Sequence, residues 1–141
     1  MGIKAYTIHH LIKGSDVNHH GTLYAGKGAD WMVESGFIAA AALVGTHHVV
    51  CLKIHGMLFK RPVRPGTLLR LDSQVVLAGK TSLTSYVQAS DAMTGEYIVD
   101  GYMTFIHVDD NGKSIAHGLT IEAKNEEQKA WQNEAKRLMA R

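Results

Sequence analysis

The 141-residue chain has a single cysteine, Cys51, so no intrachain disulfide can form, which fits a reducing cytosol. Cys51 lies in the apolar run VVCLKI, where a buried strand thiol is expected rather than a nucleophile. Long apolar runs are missing too. The longest, residues 37–44, falls well short of the roughly 20 residues that a membrane-spanning helix needs. The first residues, MGIKAYTIHH, hold no signal-peptide core. Excess charge of one sign is also absent. A formal net charge of +2 argues against nucleic acid as the main partner, yet allows a local basic patch for a phosphorylated ligand. No repeat, low-complexity segment or Pro/Gly/Ser linker divides the chain. What remains is a cytoplasmic globular chain, 45% hydrophobic and 20% charged, expected to form one domain over residues 1–141.

The chain is organised around residues 16–45, DVNHHGTLYAGKGADWMVESGFIAAAALVG. Ser15, Asp16, Asn18 and Gly21 are turn and cap residues. From Lys27 onward Ala29, Met32, Val33, Gly36, Phe37, Ala40 and Val44 recur at helical steps. Almost nothing after Ser35 is polar, and a helix apolar all round is expected to be buried. Gly28 and Gly36 weaken it by roughly 1 kcal/mol each relative to Ala, with close packing against a sheet as the return. Asp30 and Glu34 share a face by their four-residue spacing, and Lys27 stands a turn earlier, able to pair with Asp30. Ile38 and Ala41 follow on that side, so Glu34 is expected to enter an apolar environment.

Residues 3–12 read as a first strand, with Tyr6, Ile8, His10 and Ile12 alternating against Thr7 and His9. A long strand is predicted over 47–60, with Val50, Leu52, Ile54 and Leu58 on one side and Cys51, Lys53, His55, Met57 and Phe59 on the other; Pro62 and Pro65 stop it. Further strands follow at 67–77, 81–90 and 97–108, joined by turns at 78–80 and 91–96; Asp110, Asn111 and Gly112 signal another turn. Residues 119–141 read as a C-terminal helix, with Glu122, Glu126 and Glu127 early and Lys136, Arg137 and Arg141 late, as the helix dipole favours. Ala123, Trp131, Ala135 and Leu138 give it a narrow apolar stripe, and a mostly solvated helix is expected. The class is α+β: one long central helix, a five-stranded antiparallel sheet and an extra terminal helix.

This pattern resembles the hotdog fold, in which the sheet wraps the central helix. The motifs resemble those of the acyl-CoA thioester hydrolases of that fold. They are Asn18, His19, His20 and Gly21, then Leu23, Tyr24, Ala25 and Gly26; Phe59, Lys60, Arg61, Pro62 and Val63, then Pro65 and Gly66; and Gly79, Lys80, Thr81 and Ser82. The resemblance covers about residues 5–108. It implies hydrolysis of acyl-CoA to free acid and CoA without a metal or other cofactor. It also implies a carboxylate on the central helix, an Asn in the preceding loop often given by the other subunit, and backbone N–H groups at the helix start. Asn18 matches that Asn, and Ala25 with Gly26 matches the small pair at the helix start. The acid departs from the pattern: fifteen positions after Asn18 the chain has Val33, and Glu34 is one later, a rotation of about 100°. Glu34 is the expected acid and Asp30 the alternative. The resemblance further implies a homodimer, assembled into a tetramer or hexamer.

The residue types suit this chemistry. Thioester hydrolysis builds negative charge on the carbonyl oxygen, and unpaired N–H groups at a helix start are aimed donors for it. Gly26 and Gly28 allow close approach, and a carboxylate can take a proton from water. The phosphates of CoA need cations, which Lys60, Arg61, Arg64 and Lys80 supply, with Gly79, Thr81 and Ser82 beside them. Nine histidines invite a metal, yet in the pairs His9–His10, His19–His20 and His47–His48 adjacent side chains on a strand point to opposite faces, and no zinc motif is present. His19 and His20 remain candidates to line the site loop. Val33 favours one rival reading, a non-catalytic acyl-CoA-binding hotdog protein. A hotdog dehydratase or hydratase ranks lower, because no His–acid pair stands at the helix.

Overall fold

Residues 1–140 are described by a computed structural model. The apolar stretch of residues 16–45 forms α1, Ala25–Val44, which begins two residues before the predicted start. Around it runs one antiparallel sheet of β1 (Tyr6–Leu11), β2 (Val49–Met57), β3 (Leu68–Ala78), β4 (Ser82–Asp91) and β5 (Tyr97–His107), in the order β1-β3-β4-β5-β2. A second helix, α2 (Glu126–Met139), closes the chain. This is the hotdog fold anticipated from the sequence.

Alternation along β3, β4 and β5 builds the core, since successive side chains face opposite sides. Leu69, Leu71 and Val75, Leu83 and Val87, and Val99, Met103 and Phe105 pack with Met32, Ala39 and Ala40 of α1. Gly36 is where helix and sheet come closest. Ser85 Oγ donates to the Gly36 carbonyl at 2.8 Å, and a Cβ on Gly36 would stand 2.9 Å from Met103 Cγ. Gly28 contacts Phe59 and Leu23 instead of the sheet.

Several expectations need correction. The first strand is shorter than 3–12, because only residues 6–11 pair with β3. The long strand starts after a 3-10 turn, Thr46–His48, and ends at Met57. Irregularities between Cys51 and Lys53 and between Ile54 and Met57 break its simple alternation. Cys51 is exposed, because β2 is an edge strand. Asn125 caps α2 by accepting from Gln128 N at 2.8 Å, so Glu122 and Ala123 precede the helix. Most of α2 is exposed, as expected, while one stripe docks on the sheet. Ala135 is fully buried, Trp131 stacks on Tyr86 at 5.1 Å, and Gln132 donates to the carbonyl of Val76. Arg141 lies outside the described residues.

Gly36→Ala is expected to unfold at lower urea than the wild type. The new methyl presses on the fully buried Met103, and overpacking of this kind costs about 1–3 kcal/mol. Denaturant titration followed by circular dichroism measures it.

Candidate active site

The loop before α1 is built on Asp16. Its carboxylate is buried, accepting from Lys27 Nζ at 2.7 Å and from the backbone N–H of Lys13 at 2.9 Å. The Lys27 ammonium, then the Lys13 N–H, hold the Asp16 carboxyl below the usual carboxylate range. The Asp16 carbonyl accepts from Tyr24 N at 2.9 Å, so both ends of the loop are fixed to the start of the helix. Lys27 therefore pairs with Asp16 and not with Asp30 as expected. The two partners lie eleven residues apart, beyond any helical spacing.

Asn18 organises the loop between these ends. Its Oδ1 accepts from His20 N at 2.9 Å and Thr22 N at 3.3 Å, and its backbone N–H donates to Thr22 O at 2.8 Å. Gly21, at φ +76°, supplies the left-handed turn. His19 and His20 are exposed at the tip, with ring centroids 4.0 Å apart. Leu23 N donates to Val63 O at 2.7 Å, which ties the loop to the segment after β2.

At the helix start no side chain caps the backbone. The first helix-closing bonds run from Lys27 N and Gly28 N to Tyr24 O, and the N–H groups of Ala25 and Gly26 have no partner among the described residues. Tyr24 lies over Gly26, where an added Cβ would stand 3.0 Å from Cζ of its ring. Sequence reasoning assigned no role to Tyr24. The only available signal was an aromatic residue immediately before two small ones.

Asp30 and Glu34 are both exposed, and neither has a hydrogen-bond or ion-pair partner among the described residues. This corrects the expected apolar setting of Glu34. At about 100° per residue, Glu34 is turned about 200° from the buried Met32, so it points away from the sheet. Val33 and Phe37 are partly buried against the core, and Phe37 meets Phe105 of β5 edge-on at 6.0 Å.

The predicted cations do not form one cluster within the chain. Arg61 pairs with Glu96 and lies at the same end of the sheet as the Asn18 loop. Arg61 and Arg64 line a cleft of about 230 Å³ together with Asp91 and Glu96. Lys60 borders a neighbouring cavity of about 320 Å³. Gly79, Lys80, Thr81 and Ser82 form the β3–β4 turn, where Gly79 N donates to Ser82 O at 2.9 Å. That turn stands at the opposite end of β4, roughly 30 Å away at 3.3 Å per residue. Among the described residues no group of three or more His, Cys, Asp or Glu side chains converges as a metal site.

Over residues 20–97, more than half of its length, the sequence matches the thioesterase superfamily. The chain belongs to that superfamily. Among curated proteins none matches the thioesterase sequence. Solved structures resemble the whole thioesterase fold. An acyl-CoA hydrolase from Staphylococcus aureus is 22% identical with a TM-score of 0.85, over 96% of this chain and 82% of that one. A hexameric acyl-CoA thioesterase is 26% identical with a TM-score of 0.84, over 96% and 88%. A hexameric thioesterase from Yersinia pestis is 25% identical with a TM-score of 0.69, over 77% and 91%.

The Asp16 linkage has a definite pH sign. A carboxylate with a depressed folded pKa adds stability above its unfolded value, about 4, and that stability is lost as pH falls through the folded value. Asp16→Asn should therefore lower the melting temperature at pH 7, and the gap to wild type should close on acidification below pH 4. Differential scanning calorimetry at both pH values reads it.

Proposed function

We propose that the protein hydrolyses acyl-CoA thioesters at a site completed by two copies of the chain. The observation that carries this is the pair of N–H groups on Ala25 and Gly26 with no partner among the described residues, on the same helix as the exposed carboxylates of Asp30 and Glu34 and at the same end of the sheet as a cleft lined by Arg61 and Arg64 with Asp91 and Glu96, in a chain of the thioesterase superfamily. The thioester carbonyl oxygen accepts from the helix-start N–H groups, which stabilise the charge formed on it. Water adds to the carbonyl carbon while a carboxylate takes its proton. The C–S bond then breaks, and the CoA thiolate leaves and is reprotonated. The products are a carboxylic acid and CoA.

The working acid in this reading is Glu34, which borders Phe37 and Ile38, an apolar surface that a second protomer covers. One observation favours Asp30 as the alternative. Lys27 is engaged by Asp16, so nothing among the described residues holds Asp30. Asn18 positions the reactants through its side-chain N–H₂, since its Oδ1 is taken up by the loop.

The edge strand β2 is where a second copy would pair. This edge strand leaves Leu52 60% exposed and Val50 and Ile54 49% exposed, an aggregation hazard unless paired. Two-fold antiparallel pairing of β2 with its mate reverses one sheet against the other. The Gly79–Ser82 turn of one copy then points toward the Arg61 end of its partner, and Lys60, Arg61, Arg64 and Lys80 act together on the phosphates of CoA. Arg61 exchanges Glu96 for phosphate in doing so. The hexameric assembly of two of the similar structures supports a homo-oligomer.

Thiol release from acyl-CoAs, acetyl to palmitoyl, tests the activity. Glu34→Gln should lower kcat by about 10²- to 10⁴-fold, Asn18→Ala by less, and Asp30→Asn only mildly. Loss of turnover in Asp30→Asn with full turnover in Glu34→Gln moves the acid one turn up the helix. Binding without hydrolysis of any chain length replaces the enzyme with an acyl-CoA-binding protein.

Leu52→Glu should convert the assembly to an inactive monomer in sedimentation velocity. An active monomer, of wild type or variant, contradicts the two-copy site.

A further inference from the structure

Beneath the start of α1 lies an apolar recess between helix and sheet. Its floor is Met32 and Leu71 and its walls are Leu69, Ala89 and Val99, all nearly or completely buried. Its space for atom centres is about 30 Å³, room for two or three water-sized atoms.

The outer wall is Phe59. The ring packs over Gly28, where an added Cβ would stand 3.2 Å from Phe59 Cε1. It is also 40% exposed and lies beyond the end of β2, so no strand pairing holds it. A large ring half in solvent closes a small apolar cavity beside the helix-start N–H groups.

Arg61 supplies an independent observation. Arg61 lines this recess, the polar cleft shared with Arg64 and the mixed cavity shared with Lys60. One cation thus joins an apolar volume to two polar ones. That arrangement fits a ligand with a short apolar tail and an anionic body.

We propose that the recess receives the acyl group and that Phe59 sets its length, restricting the wild type to acyl groups of about two to four carbons. This rests on the acyl-CoA reading above. It adds a location within one protomer and a residue that governs specificity. With Phe59 in place, a longer chain meets Met32 and Leu71, which are locked in the core. With Phe59 displaced, the recess opens to solvent along the same side and admits a longer chain.

The test uses the full-length protein and two readouts. The first is kcat/KM for acetyl-, butyryl-, octanoyl- and palmitoyl-CoA. The second is the affinity of the non-hydrolysable thioethers S-ethyl-, S-butyl- and S-octyl-CoA, by isothermal titration calorimetry. Phe59→Ala should raise the octanoyl-to-acetyl ratio of kcat/KM at least tenfold and tighten S-octyl-CoA relative to S-ethyl-CoA. Phe59→Trp should move both ratios the other way. Hydrolysis with one chain-length profile in all three proteins overturns the recess assignment and leaves the hydrolase reading intact. Thioether binding that follows Phe59, without hydrolysis, supports the recess and removes the hydrolase. Absence of both binding and hydrolysis overturns both.

Discussion

The seat of α1 on the sheet depends on one contact, where the Ser85 hydroxyl meets the Gly36 carbonyl over the side chain of Met103. Only a residue without a side chain lets the helix backbone come this close. The approach buries Met32, Ala39 and Ala40 against β3, β4 and β5 and fixes the height of the helix over the sheet. The Asn18 loop, the helix-start N–H groups and the recess beneath them all inherit that height. The Asp16–Lys27 pair then sets the loop against the helix, so that local geometry follows from packing further along α1.

The described chain leaves two surfaces unfinished. One is the outer side of α1 with its two carboxylates, and the other is the edge of β2 with its row of apolar side chains. Both lie on the border of the candidate site. A carboxylate in water and an edge strand in water are ordinary separately. Side by side, they describe half of an environment whose dielectric is set by what covers them.

Element existence was legible because each strand and helix carries its own period. The residues of β3, β4 and β5 alternate, and α1 repeats at three and four. Boundaries at β1, β2 and α2 were less so, since pairing partners and caps decide where a ladder or helix stops. Loop geometry was legible where it is local, as in the turn that Asn18 and Gly21 make. It was illegible where it depends on distance. The engagement of Lys27 by Asp16 has no spacing signature, and the separation of Lys80 from Arg61 follows only from the direction and length of β4. Cys51 and Glu34 failed for a third reason. Apolar neighbours in sequence predict burial only if another element lies over them, and here none of the same chain does.

The packing of α2 constrains how such sheets can associate. Trp131 on Tyr86, buried Ala135 and the bond from Gln132 to Val76 lay the helix across the face of the sheet that α1 does not use. Sheets that stack face to face approach to about 10 Å, and a helix with its side chains is itself about that thick. The chain thus carries its own spacer. Back-to-back stacking of two sheets is closed to it over the area α2 covers, so growth beyond a pair must run through loops, helix flanks or strand edges.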